Sequence, residues 1–218
     1  VIGPSSLHWH NDHLRVDFME RAVPFGQRVA GHFKLFPQQL FNFSTHLDDQ
    51  HKHRWGPLAP SARIEVELES PKIRWQGTAY FDSNEGDEPI EHAFHRWDWS
   101  RSLMRDGSTA VMYDMQWPAV PERLLSLRFD RGGQVEPFSA PGRQALRKTH
   151  WGLQRGMRST TPVTVQQQLE DTPFYQRALL SSELLGERVQ SFHETLSIPR
   201  LVSPIVRAML PWRMPRTS

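Results

Sequence analysis

Hydrophobic and polar positions alternate with period two through most of the chain. At 62–68, Ile64, Val66 and Leu68 alternate with Arg63, Glu65 and Glu67, the pattern of a strand with one face buried. Pro71 ends that run. Residues 14–18 (Leu-Arg-Val-Asp-Phe) alternate in the same way, as do Val29, Gly31, Phe33 and Leu35 before Pro37. Further strands are expected at 73–82, 108–116, 124–130, 147–155 and 162–170, separated by turn sequences such as Arg105-Asp106-Gly107-Ser108 and Arg131-Gly132-Gly133. Helix is expected only from Ser181 to about Val189 and in the tail from Pro199, where Pro204, Pro211 and Pro215 keep interrupting it. Many short strands at a spacing of roughly 8–12 residues predict an all-β sandwich or barrel.

Composition narrows the class. The 218 residues hold no Cys, so disulfides, Cys-ligated metal and a thiol nucleophile are excluded, and a reducing cytoplasm fits. Lys and Arg total 26 against 24 Asp and Glu, a net charge of +2, and no basic stripe tracks a phosphate backbone, so nucleic acid is not an expected partner. The unbroken apolar run of about 18 residues that a spanning helix needs is missing. The length suits one full core and part of another. The sequence starts Val1-Ile2-Gly3-Pro4, without an initiator Met or an apolar leader, and is expected to be the later part of a longer chain. After Glu194 no acidic residue occurs, while Arg200, Arg207, Arg213 and Arg216 alternate with Ile205, Val206, Met209, Leu210, Trp212 and Met214. Residues 199–218 therefore read as a basic amphipathic tail.

Candidate chemistry concentrates in residues 51–101. If 74–82 is a strand, Arg74, Gln76, Thr78, Tyr80 and Asp82 share one face and Trp75, Gly77, Ala79 and Phe81 the other. The same rule puts His53 beside Trp55. Two readings of the Tyr80–Asp82 face stand open: a solvated face running into an Asx turn, or a cavity wall on which a carboxyl among aromatics is kept protonated by desolvation and serves as an acid. His8, His10 and His13 offer imidazoles without a clear third and fourth ligand, so surface histidines are expected there rather than a metal site. Asp82-Ser83-Asn84-Glu85-Gly86 does not make a calcium loop, because Gly falls fifth and no Glu stands twelfth. Trp97-Asp98-Trp99 suits a hydrophobic seal better than a stacking platform.

Longer motifs add a resemblance. His53-Arg-Trp-Gly-Pro-Leu-Ala-Pro60, then Gly77-x-x-Tyr80-Phe81-Asp82-x-Asn84-x-Gly86-x-x-Pro89-Ile90-Glu91-x-x-Phe94-x-x-Trp97-x-Trp99-Ser100-Arg101, resemble the carotenoid 1,2-hydratase (hydroxyneurosporene synthase) family. Leu169-Glu-Asp-Thr-Pro-Phe-Tyr175-x-Arg177 and Met209-Leu-Pro-x-Arg213-Met-Pro-Arg216 resemble it too. The resemblance implies two lipocalin-like antiparallel β-barrels, with residues 1–40 closing the first, 41–198 forming the second and 199–218 a short helical tail. It implies cofactor-free addition of water to the terminal C1=C2 bond of an acyclic carotenoid such as neurosporene or lycopene, a hydro-lyase reaction with no metal. Matched by position, Asp82 is the proton donor, Trp55 and Tyr80 hold the carbocation, and His53 orients water and relays its proton. Trp75, Phe81, Trp97 and Trp99 are expected to bind the substrate. A polyene partitions into bilayers, so the tail is expected to touch the membrane surface, unless it packs across the barrel mouth. Competing classes are a non-catalytic lipocalin-like isoprenoid carrier and, further off, a metal enzyme using His8, His10 and His13.

Overall fold

A computed structural model describes residues 3–22, 25–117 and 120–210, and these are nearly all antiparallel β, as the periodicity predicts. The first sheet holds β1 (Ser6–Trp9), β2 (Leu14–Ala22), β3 (Gln27–Pro37), β4 (Thr45–His46), β5 (His53–Ser70) and β6 (Ile73–Gly86). Strands β1 to β3 form a meander, and β3 pairs with the later half of β5, Leu35 opposite Ile64 and Phe33 opposite Val66.

Strand β5 is long because it serves two partners along one edge. Pro57 and Pro60 have no N–H to give the ladder, and the register slips between Pro57 and Ala59 and again between Ala59 and Ala62. Such bulges bend a strand and sharpen its twist. Ahead of the break, Trp55 and Arg54 pair with β4 on the edge that β3 takes farther on, while β6 follows the other edge throughout. One face of this sheet carries Leu14, Leu35, Ala59 and Ala62, with Phe33, Ala79 and Phe81 against them.

After α1 (Ile90–Ala93), the second sheet is built from β7 (Arg96–Leu103), β8 (Thr109–Trp117), β9 (Val120–Phe129), β10 (Val135–Pro137), β13 (Thr164–Asp171), β14 (Tyr175–Leu184) and β15 (Glu187–Ser197), in the order β10-β9-β8-β7-β15-β14-β13. A separate hairpin, β11 (Arg143–Leu146) and β12 (Arg155–Arg158), packs against it. One face of the seven-stranded sheet presents Trp97, Trp99, Val111, Tyr113, Phe192 and Leu196 to Trp55 and Tyr80 of the first sheet. The opposite face presents Ala110, Met112, Ala178, Leu180, Leu184 and Val189 to Met157 of β12.

That second core encloses a polar network in place of an empty lumen. Asp98, 4% exposed, accepts from Arg96, Arg143, Thr195 and the Gly156 N–H. Gln176 donates to Thr195, lies 2.9 Å from His193 Nδ1 and accepts from Arg155. His193 Nε2 lies 2.8 Å from the Gly156 carbonyl, so that nitrogen carries the hydrogen. Burial holds His193 below the ordinary imidazole range, although Asp98 pulls the other way.

Two local expectations need correction, and a third holds. Residues 181–189 are a hairpin and not a helix: Ser182 and Leu184 point inward in alternation, and Leu185 and Gly186, both with positive φ, make the two-residue turn. Residues 147–155 are not a strand, because Gly152, at φ +71°, closes a turn onto Thr149, and β12 starts only at Arg155. The tail is helical and interrupted at Pro204, as expected: α2 (Ile198–Leu201) and α3 (Pro204–Met209) are divided at Ser203, which caps α3. Pro211, Trp212, Arg213, Met214, Pro215 and Arg216 lie outside the described residues. Among the described residues no helix is long and apolar enough to cross a membrane.

Candidate active site between the two sheets

The β5–β6 register assembles the candidate residues. His53 stands opposite Gly86, Trp55 opposite Asn84, and Pro57 opposite Asp82. Opposed residues of a ladder project to the same side, so His53, Trp55, Asp82 and, two residues back, Tyr80 share one face of the first sheet. Trp55 is 1% exposed and lies edge-on to Tyr113 at 5.8 Å and to Phe129 at 6.4 Å. Burying an indole removes about 200 Å² from water, worth about 5 kcal/mol. This packing fixes the ring, and its Nε1–H donates to Asp82 Oδ2 at 2.9 Å.

The seven-stranded sheet supplies the opposite wall. Trp97 meets Tyr113 at 5.9 Å, and Trp99 meets Tyr80 at 5.0 Å, both edge to face. Among the described residues no donor or acceptor meets both the distance and the angle of a hydrogen bond with the buried Tyr80 hydroxyl. The Asp82 carboxylate is nonetheless near enough to act on it: burial first, then that negative charge, push the Tyr80 phenol well above its ordinary range. Tyr113 is raised for the same two reasons. Both rings are therefore neutral phenols around a carboxyl group. Arg101, two residues beyond Trp99 on the same face, lies over the Tyr80 and Phe192 rings, its Cζ 5.6 Å from each centroid. Burial lowers its pKa, and Tyr80 and Glu194 oppose that shift.

His53 occupies a different part of this face. Asp48 Oδ2 accepts its backbone N–H at 2.7 Å and lies 3.2 Å from Nδ1, and the Glu88 carbonyl lies 3.3 Å from Nε2. The ring packs against Phe94 at 5.0 Å. Asp48 is held below the usual carboxylate range: burial raises it, but the N–H groups of Lys52 and His53 and the imidazole outweigh burial. Asp82 pairs four residues along β5 from His53, about 13 Å of strand, with Trp55 between them. A cavity of about 270 Å³ lined by His53, Asn84, Glu88, Phe94, Trp97 and Tyr113 adjoins the cluster. A larger pocket of about 620 Å³, lined by Asp48, Glu88, His92, Trp117, Glu122 and Arg123, lies on the other side of the Asp48–His53 pair.

The structure thus brings Trp55, Tyr80, Asp82, Trp97 and Trp99 together, with His53 two same-face positions away. Trp75 and Phe81 project from the opposite face of β6: Phe81 enters the Leu14–Leu35 core, and Trp75 is 49% exposed. Tyr113, Arg101 and Asp48 are additions. Period two in Trp97-x-Trp99-x-Arg101 and in Val111-x-Tyr113-x-Met115 signals the first two, whereas Asp48 reaches His53 through a loop with no periodic signature. His10 stacks on His13, whose Nδ1 meets Asp12. Among the described residues no three His, Asp or Glu converge as metal ligands would.

Comparison with known proteins matches the chain to a family. The family model of the carotenoid hydratase CrtC matches residues 1–218. The chain is 53% identical to an acyclic carotenoid 1,2-hydratase of Rubrivivax gelatinosus and 42% identical to one of Thiocapsa roseopersicina, in each case over 100% of this chain and 54% of the relative. It is 33% identical to the acyclic carotenoid 1,2-hydratase of Cereibacter sphaeroides over 99% of this chain and 78% of that protein. The chain spans about half the length of the first two relatives.

Proposed function

The chain belongs to the carotenoid hydratase CrtC family, and from that premise we propose that it adds water, without a cofactor, to the terminal C1=C2 bond of an acyclic carotenoid such as neurosporene or lycopene. The observation that carries this reading is the Trp55 N–H to Asp82 carboxyl contact at the aromatic wall between the sheets. Adding a proton to C2 of a trisubstituted alkene leaves a tertiary cation at C1, so catalysis needs an acid and an environment that favours positive charge without trapping it. Asp82 supplies the proton. The indole of Trp55, fixed beside it, favours the cation, an interaction worth about 2 kcal/mol when desolvated, whereas the Tyr80 ring, expected to do the same, already has the Arg101 guanidinium over it.

His53 orders the water that fills the adjoining cavity and takes part in returning its proton through that water, since the strand geometry keeps it from touching Asp82. Trp97 and Trp99 line the path of the hydrocarbon end, and Trp75 and Phe81 are assigned to more distant parts of the polyene. The division into residues 1–40, 41–198 and 199–218 belongs to the same proposal, although β1 to β3 share a sheet with β5 and β6.

A bilayer-dissolved substrate calls for peripheral contact with a membrane, and Ile205, 74% exposed, and Leu210 on the tail suit that contact. The nearer tail arginines are engaged elsewhere, Arg207 with Glu91 and Arg200 with the carbonyls of Trp151, Gly152 and Pro173. Co-flotation with anionic liposomes is expected to be lost on deleting residues 199–218; unchanged flotation would remove the tail from this role.

Incubation of the complete protein with detergent-dispersed lycopene under nitrogen, without added cofactor, is expected to give a product heavier by one water. Lycopene that stays bound but unchanged would instead indicate an isoprenoid carrier.

A further inference from the structure

Among the described residues, the Tyr80 hydroxyl is a buried polar group of the aromatic cleft that no protein contact fully satisfies. A buried hydroxyl without a partner loses roughly 1–3 kcal/mol relative to a satisfied one, and buried polar groups are nearly always paired, with protein or with water. Here the hydroxyl is close beside Asp82 without a well-formed hydrogen bond to it, so a water that reaches one of the two oxygens reaches the other as well. The ring itself has a competing occupant. The Arg101 guanidinium already lies over it, and a second positive charge on that face would be repelled by the first. Trp99 takes another side of the ring at 5.0 Å. What remains for Tyr80 to offer the reaction is its O–H.

Resting on the hydratase reading, we infer that the reacting water is held jointly by the Tyr80 hydroxyl and the Asp82 carboxyl, and that Tyr80 acts on the capture of the cation more than on its formation. Asp82 gives its proton to C2, the π electron pair of C1=C2 becomes the new C–H bond, and C1 becomes cationic. A lone pair of the Tyr80-held water closes on C1. One proton of the resulting oxonium passes to the Asp82 carboxylate, restoring the acid. The sum is one alkene and one water giving one tertiary alcohol, with no proton left over. The water that refills the position comes from the cavity beside His53.

Tyr80→Phe keeps the ring and removes only the oxygen. The complete protein, unsubstituted and as Tyr80→Phe and Asp82→Asn, is incubated with lycopene in D2O, and both the hydrated product and deuterium in the recovered lycopene are measured by mass spectrometry. In Tyr80→Phe, hydration is expected to fall about 100-fold, the scale of positioned acid–base assistance, while deuterium still enters recovered lycopene, because a cation that is not captured loses a proton and returns to alkene. Asp82→Asn is expected to give neither. Hydration by Tyr80→Phe at the unsubstituted rate overturns the water site, and so does equal loss of hydration and exchange in a variant whose melting temperature and lycopene absorption are unchanged. Absence of both signals from the unsubstituted protein contradicts the hydratase reading itself, and the water site falls with it.

Discussion

Asp82→Asn is expected to reduce hydration of an acyclic carotenoid by about 1000-fold or more while leaving the carotenoid bound. The amide matches the carboxyl in shape, and its oxygen still accepts from Trp55 Nε1, so the cleft keeps its packing. An amide has no proton to give an alkene, and a positioned acid contributes roughly 10²–10⁴ in rate. The melting temperature is expected to move little, because Asp82 is only partly buried. Product formation and carotenoid absorption measured on the same samples separate the two effects. Turnover near that of the unsubstituted protein would remove Asp82 from the chemistry, and loss of both turnover and bound carotenoid would make it a structural residue.

The largest loss of stability is expected from Asp98→Ala, on the far side of the seven-stranded sheet. The substitution leaves the Arg96 and Arg143 guanidiniums facing a low-dielectric core without their carboxylate and takes this acceptor from the Thr195 O–H and the Gly156 N–H. Breaking a buried pair by removing one partner costs about 3–5 kcal/mol, which for a domain near this size lowers the melting temperature by roughly 10 °C. The carboxyl of Asp98 also shapes the acid limb of stability. Burial raises its pKa, but His193, Arg96, Thr195 and Arg143 outweigh burial and hold it below the usual carboxylate range. A carboxyl whose folded pKa lies below its unfolded value, about 3.9, contributes stability that is present above that value and lost as pH falls through the folded one. His193, lowered by burial, adds a loss that begins as pH drops below about 6.5, where the unfolded imidazole takes up its proton. Denaturant midpoints between pH 3 and 8 are therefore expected to be flat at the alkaline end and to fall toward acid. Asp98→Ala is expected to be less stable throughout and to fall less steeply below pH 4. A midpoint unchanged by Asp98→Ala would show that the network does not hold the fold.

The shared face of His53, Trp55, Tyr80 and Asp82 was legible because it depends only on period two and on two strands that meet in antiparallel register. What lies across from that face was not. Nothing in the spacing of Tyr113 or Arg101 says that β8 and β7 pack against β5 and β6, since contacts between sheets are set by tertiary packing that leaves no local period. The same limit explains β14 and β15. Leu179, Leu180, Leu184 and Leu185 imitate a helical stripe, and only the buried alternation Leu180, Ser182, Leu184 and the positive φ values at Leu185 and Gly186 decide for a hairpin. Serines on the inward face disguised the strand, and they are tolerated there because Ser182 and Ser102 each reach Ser191. The buried carboxyl of Asp98 had no signature in the spacing. The network around Asp98 and His193 fills the far side of the second sheet, and the aromatic cluster around Asp82 lies between the sheets.

The central claim is that Asp82 protonates C2 and water then closes on C1, and isotopes test it directly. The complete protein is incubated with lycopene, without cofactor, in D2O enriched in oxygen-18, and the product is analysed by mass spectrometry and NMR. The account predicts a tertiary alcohol with one oxygen-18 at C1 and one deuterium at C2. An alcohol without solvent oxygen, or without deuterium at C2, would contradict it.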